Sequence, residues 1–503
     1  MPKNYYEFKE EAELWLKDKD DEGRIVFKKS ELNTKIYNYL KANAFLVELQ
    51  SKYFFIKRDD VSSQEAFRQF YWKILIQFLN LRFPSKTGDP AWYLTGAYPY
   101  KFLVDRVLIP RLEDQITIQT KSSSNTRLTL FGEHEIVAIQ DRNFDDKTII
   151  KKDIFNEDVF LLKPEYMIVN SNPTQYKLYE ETIVAYIKNK DFDFEYLEDY
   201  FKRNKSPITH ARFIGALNQV NENIKAIRFE EIFKSYDYKN VIENPFSKEY
   251  KLKRSAKPSF VTRFGISMQK AKDYLKTIEL PRRLSKKINE QAIDKLTADD
   301  AYHSLTIEGY DVTKEIIHRI QSGDEFDLDL KNQSATQGFL RVLLFVKSLI
   351  KIDYEITADL TEELWRELWS PSINAGLFKY EISIYRNHFV SIKNSQSVPP
   401  GHEKIHYLLE EFYEHANDFD NGMAQAIFLH FFYVWIHPHS DGNGRVSRFL
   451  MNLALIKDKY KWLTIPANLR PQYFSSLEKS QVEDDISHFA NFILKTYKDN
   501  PEL

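Results

Sequence analysis

The chain has 503 residues, 43% of them hydrophobic, and a formal net charge of −2. That length is enough for about two or three domains with sizeable cores at roughly 150 residues each, and the near-neutral balance excludes nucleic-acid binding through overall basicity, leaving only local patches. It contains no cysteine, which excludes disulfides, thiol nucleophiles and thiolate metal sites together. Glycine is scarce, 14 in all, under half of the usual share of about 7%; a place where glycines gather therefore needs a reason. The stretch after Met1 has no apolar h-region, and the most apolar run, Ala426 to Ile436, is too short to span a bilayer and contains His430. The expectation is a cytoplasmic protein without membrane contact.

Taken in chain order, Lys28 to Leu46 predicts a helix, and Leu46 to Lys57 predicts strand and turn, a texture compatible with a winged helix. Ser63 to Leu81 carries apolar residues at helical spacing. Between Gln115 and Val169 the period becomes two: Ile116 to Thr120 alternates, Ser122 to Asn125 supplies a turn, and Arg127 to Leu130 and Glu135 to Ile139 read as strands. Helical pattern returns from Gln175 to Tyr236. A basic stretch, Lys248, Lys251, Lys253, Arg254 and Lys257, then ends at Pro258 and predicts a linker. From Lys270 to Lys498 the pattern is helical, with one break between Glu381 and Pro400. The predicted fold class is mainly α: a mixed α/β N-terminal domain over 1–249, a linker and connecting helix over 250–289, and a helical domain over 290–503. Lys202 to Lys205 and the basic stretch could meet phosphates, but acidic residues are interleaved throughout, which favours solvated faces. DNA contact, target recruitment and homo-oligomer formation all stay open for the N-terminal half.

Chemistry concentrates at residues 437–448, His-Pro-His-Ser-Asp-Gly-Asn-Gly-Arg-Val-Ser-Arg. The preceding run from Met423 to Ile436 is apolar nearly all round, as a helix buried in a bundle is, and Pro438 stops it. Val446, Leu450 and Leu453 restore helical spacing, so the motif joins two helices and Gly442-Asn443-Gly444 opens the second. Backbone N–H groups at a helix N-terminus form an anion site, and glycine lets the backbone approach a phosphate without a Cβ in the way. Arg445 and Arg448, three apart, share a face and can both reach phosphate oxygens. Asp441 is a hard oxygen ligand suited to Mg²⁺ bridging phosphates. His437 can take a proton from an attacking hydroxyl. Together they predict phosphoryl or nucleotidyl transfer, in which positioning and charge neutralisation dominate.

This segment closely resembles the signature of the Fic (filamentation induced by cAMP) domain family, His-Pro-Phe-x-Asp/Glu-Gly-Asn-Gly-Arg-x-x-Arg, departing at the third position, where His439 replaces Phe. The resemblance implies a protein adenylyltransferase that moves AMP from ATP to a Tyr, Thr or Ser hydroxyl of a target protein, itself included. It implies His437 as the base, Asp441 as the Mg²⁺ ligand, Gly442, Asn443, Gly444 and Arg445 around the phosphates, and Arg448 at the γ-phosphate. Gly376 to Tyr380 and Ile384 to Ile392, with Pro399 and Pro400, resemble the family's β-hairpin flap, whose Tyr385, Arg386, Phe389 and Val390 would hold the target by strand addition. Arg470 to Tyr473 resembles a family position near the base, implying a nucleotide contact for Tyr473.

Ser304-Leu-Thr-Ile-Glu308-Gly309 resembles the family's inhibitory motif, Ser/Thr-x-x-x-Glu-Gly/Asn. It implies that the Glu308 carboxylate takes Arg448 from the γ-phosphate, with Ser304 and Gly309 as the motif's other fixed positions. Other Fic-type transfer or de-AMPylation, and a DNA-binding regulator with a nucleotide-sensing domain, are the alternative readings.

Overall fold

The computed structural model describes residues 4–57, 61–85, 90–111, 113–121, 125–145, 148–154, 156–236, 238, 241–250, 252–253, 255–322, 329–377 and 383–499. The chain forms two compact units. One holds Met1–Arg263 with Ser391–Val398; the other holds Phe264–Val390 with Pro399–Leu503.

The first unit begins with a small antiparallel sheet of β1 (Val26–Lys28), β2 (Leu46–Gln50) and β3 (Tyr53–Ile56), in the order β1-β3-β2. The helix Thr34–Ala42 covers it, and Phe27, Ile36, Leu40 and Phe54 form a core of its own. The helix expected from Lys28 is shorter because Lys28 itself ends β1, and the Asn33 side chain accepts from the Lys35 N–H to start the helix only there. Ser63 to Leu81 is likewise two helices, Ser63–Gln69 and Tyr71–Arg82, parted at Phe70.

A mixed six-stranded sheet follows: β4 (Trp92–Thr95), β5 (Ile116–Thr120), β6 (Thr126–Leu130), β7 (His134–Gln140), β8 (Ile149–Ile154) and β9 (Glu157–Leu162), ordered β6-β7-β5-β4-β9-β8. The alternation in Ile116 to Thr120 places Ile116, Ile118 and Thr120 inward. The helix Tyr71–Arg82, buried over most of its length, supplies Trp72, Ile74, Leu75 and Phe78 to the same core. Short helices run from Pro164 to Lys234. Of the expected basic linker, Lys251 and Arg254 lie outside the described residues, and the units divide within a continuous helix, Ser259–Thr277.

The second unit is helical. Its centre is the helix Gly422–Ile436, buried at nearly every position, packed against Asn443–Lys457. Around them lie Glu290–Ile307, Leu330–Leu349, Ala358–Asn374, Ile405–Ala416, Arg470–Glu483 and Ser487–Asp499. The break read between Glu381 and Pro400 differs from the expected flap. Residues 378–382 lie outside the described residues, and from Ser383 to Pro400 no strand is formed. The backbone there pairs elsewhere. Ile109 N–H donates to Gln396 O at 2.8 Å, Val398 N–H donates to Val107 O at 3.3 Å, and Val398 joins the first unit's core. Among the described residues no helix is long and apolar enough to cross a membrane.

Candidate functional site

The site is built where Gly422–Ile436 ends. His437 closes that helix in the left-handed region (φ 52°), and Gly442 opens the next with φ 92°. A side chain at Gly442 would meet Trp369 Nε1 at 2.7 Å as well as a strained backbone. The loop between is held from several sides. Asn443 accepts from the His439 N–H and donates back to the His439 carbonyl. Trp365 Nε1–H donates to the Asp441 carbonyl at 3.1 Å.

His439, where the family has Phe, is fully buried between aromatic rings, stacked on Trp365 (5.3 Å) and Tyr385 (5.8 Å). Its Nδ1 lies 2.6 Å from the Ile384 carbonyl, which can only accept; Nδ1 is therefore the donor, and Nε2 accepts from the Tyr433 hydroxyl at 2.6 Å. Burial pushes this imidazole down to about 3. The substitution keeps the flat ring and satisfies both nitrogens.

His437 Nδ1 lies 3.3 Å from the Val434 carbonyl, so the Nε2 lone pair is the basic one. Burial, then the Arg386 cation, push the imidazole down to about 4, against the Val434 carbonyl and Glu308. It is neutral at pH 7. Arg386 is 3% exposed and spent on the loop. Its Nε donates to the His437 carbonyl at 2.7 Å, Nη1 to the His388 carbonyl, and Nη2 to the Pro400 carbonyl. This closes the helix end beneath His437 and leaves no fork for a target, contrary to the expectation for Arg386. Tyr385 donates to Glu362 at 2.9 Å, while Phe389 and Val390 are half-buried.

Asp441 Oδ1 accepts from the Gly442 N–H at 2.5 Å and lies 3.4 Å from Arg445 Nη2; its side chain is mostly exposed. Among the described residues, no three His, Asp or Glu side chains gather as a metal site. Mg²⁺ at Asp441 would thus take its other ligands from phosphates and water, as that ion commonly does. A polyphosphate fits the residues present: Arg445 is 1% exposed, yet its Nε and Nη1 are buried without a hydrogen-bond partner.

Glu308 already occupies this cradle. Arg448 Nη2 donates to Glu308 Oε1 at 2.7 Å, Nε to Ser304 Oγ at 2.9 Å, and Nη2 also to the Ser304 carbonyl at 3.2 Å. The helix Glu290–Ile307 ends at Glu308, and Gly309 turns the chain with φ 88°. A Cβ on Gly444 would lie 2.5 Å from Glu308 Oε1, so the second glycine leaves room for the carboxylate as it would for a phosphate oxygen. Burial raises the Glu308 carboxyl; Arg448 and Arg445 outweigh it and hold the group below the usual glutamate range.

Tyr473 departs from its expected place. It is 1% exposed; its hydroxyl accepts from Arg448 Nη1 at 3.5 Å and donates to His430 Nε2 at 3.0 Å. It buttresses Arg448 from behind. Trp369, Trp365 and His430, which complete the site, were not singled out from the sequence. Trp365 and Trp369 arrive from the helix Ala358–Asn374 and His430 from the helix that ends at His437, and no local pattern marks them.

Residues 350–455 match the Fic/DOC family. Over 200 residues the chain is 29% identical to "Protein adenylyltransferase Fic" of Drosophila sechellia, covering 38% of this chain and 39% of that one. Over 100 residues it is 37% identical to the Drosophila grimshawi protein of the same name, 19% of this chain and 20% of that one. The chain thus spans about two fifths of the first relative's length. Among solved structures, Fic-1 (aa134–508) from C. elegans aligns at 19% identity over 65% of this chain and 96% of that chain, with a TM-score of 0.36. The stretch that matches the Fic/DOC family, residues 350–455, contains the phosphate loop.

Proposed function

We propose that the protein is an adenylyltransferase that uses Mg-ATP and is held at rest by Glu308. The observation that carries the reading is the cradle: a glycine-lined helix N-terminus faced by two buried arginines, one with unpaired donors and one occupied by a carboxylate. ATP would lay its phosphates along Gly442 to Arg445, with Mg²⁺ at Asp441 screening the charge. The hydroxyl of a target protein would attack the α-phosphorus. A new P–O bond forms, the bond to the β-phosphate oxygen breaks, pyrophosphate leaves, and the hydroxyl proton passes to His437 Nε2.

Glu308 does not need to exclude ATP to inhibit. By holding Arg448, it removes the partner of the γ-phosphate and leaves the α-phosphorus wrongly aimed, and small misplacements cost large factors in rate. Phe389 and Val390 are the flap residues left to meet a target. DNA contact through residues 1–249 is a separate reading that the interleaved acidic residues disfavour. The test is to supply ATP labelled at the α- or the γ-phosphate to the Glu308→Gly protein. Protein labelled only by the α-form supports AMP transfer; label only from the γ-form would replace it with phosphoryl transfer.

A further inference from the structure

Arg445, buried in the first turn of the helix Asn443–Lys457, is held between aromatic neighbours. Its guanidinium carbon lies 4.8 Å from the Trp369 ring centroid and 5.1 Å from that of Tyr310. The two rings approach from elements far apart in sequence. Trp369 stands on the helix Ala358–Asn374 and also backs Gly442, where a Cβ would strike it. Tyr310 follows the Gly309 turn, its N–H donating to the Leu305 carbonyl at 3.1 Å. Lys331 Nζ lies 5.6 Å from the Tyr310 ring as well, so that ring is in contact with two cations.

A guanidinium offers two faces and a donor-bearing edge. Aromatic rings satisfy the faces by cation–π attraction and stacking, without consuming a single N–H. The edge is then all that remains for hydrogen bonding, and at Arg445 the edge atoms Nε and Nη1 are buried and unpartnered. Buried cationic donors left unpaired are costly, and phosphate oxygens are charged acceptors suited to an arginine's N–H groups. The Asp441 carboxylate reaches only Nη2, and at 3.4 Å. Nε and Nη1 thus remain without a hydrogen-bond partner while two rings stand close to the guanidinium.

We propose that Tyr310 and Trp369 are positioning residues that clamp Arg445 edge-on to the phosphate chain of the bound nucleotide. The inference deepens the nucleotide reading above and rests on it. It also gives the Glu308-Gly309-Tyr310 turn two separable roles. Its carboxylate occupies Arg448 and restrains the enzyme; its aromatic ring, two residues on, builds half of the clamp on Arg445. Removing the carboxylate should release activity, whereas removing the ring should weaken polyphosphate binding.

Calorimetric binding of ATP, ADP and adenosine to the full chain, in the Glu308→Gly background, tests this. Tyr310→Phe keeps the ring and should bind ATP within about twofold of its parent. Tyr310→Leu keeps bulk without a π-face and should weaken ATP and ADP about fivefold to tenfold, the scale of a desolvated cation–π contact, with adenosine unchanged. Trp369→Leu, judged by the same pattern, removes the other face and serves if Tyr310→Leu fails to fold. ATP binding by the Leu variants equal to or tighter than the parent's, or an equal loss for adenosine, would overturn the clamp alone. A Glu308→Gly parent that binds no ATP would overturn the nucleotide reading and the clamp with it.

Discussion

Replacing Glu308 by Gly isolates the contact that sets the resting state. The carboxylate meets Arg448 at 2.7 Å in a largely buried setting. A hydrogen bond between charged groups contributes about 1.5–3 kcal/mol, and each 1.4 kcal/mol is about tenfold in an equilibrium. If the γ-phosphate must displace the carboxylate, the variant should transfer AMP roughly tenfold to a hundredfold faster. Arg448 would not be stranded, because Ser304 Oγ, the Ser304 carbonyl and Tyr473 still receive it. Stability should therefore fall by about 1–2 kcal/mol, less than the roughly 3–5 kcal/mol of breaking a buried pair with no other partners. Activity up and melting temperature down is the expected signature. Glu308→Gln, which keeps the oxygen and loses the charge, should lie between. The assay is the initial rate of protein labelling from α-labelled ATP, together with a thermal melt. Equal rates for Glu308→Gly and wild type would refute inhibition through this ion pair, as would an increase that survives Arg448→Ala.

His437→Ala should abolish transfer while ATP binding, measured by calorimetry, stays within about threefold, because the phosphate cradle is built from other residues; lost binding would make His437 structural. Asp441→Ala in the Glu308→Gly background should raise the Mg²⁺ concentration for half-maximal labelling several-fold, and an unchanged requirement would remove Asp441 as the metal's holder. Since Glu308 is held below the usual carboxylate range, its contribution is present above the unfolded value near 4.5 and is lost only as pH falls through the lower folded value. Wild-type labelling should therefore show no release of inhibition between pH 8 and 6, and a rise there would contradict the ion-pair lock. His439 works at a different pH. Its folded value is pushed down to about 3, while an unfolded histidine titrates near 6.5, so below that pH the unfolded chain binds the extra proton and stability falls. His439→Phe should cost about 1–3 kcal/mol at pH 8 by leaving the Tyr433 hydroxyl unpaired, and its melting-temperature deficit should narrow by pH 5; a gap that widens would refute the neutral, fully bonded imidazole.

The phosphate loop was legible because its chemistry is local. Gly442, Gly444, Arg445 and Arg448 fall within two turns of one helix, so spacing alone brings them together. Strand alternation in Ile116 to Thr120 and Glu135 to Ile139 was legible for the same reason. Contacts across the sequence were not. Arg448 and Glu308 are 140 residues apart, and only the resemblance paired them. The sequence pattern of Arg386 looks the same whether its side chain faces a target or closes a helix end on the His437 carbonyl. Tyr473 was placed near a base by resemblance, whereas the packing of Phe489 and His430 draws it behind Arg448. Tyr310, which had no reading from the sequence, acquires one only when its ring is seen over Arg445.

Once Glu308 is removed, this chain should move AMP through His437. Intact-mass spectrometry of the Glu308→Gly protein after incubation with Mg-ATP, alone and with a cell lysate, tests it most directly when paired with Glu308→Gly/His437→Ala. Adducts of one adenylyl group on the protein or its targets, absent from the double variant, are the result predicted. Adducts of phosphoryl mass, or adenylyl adducts that persist without His437, would contradict it.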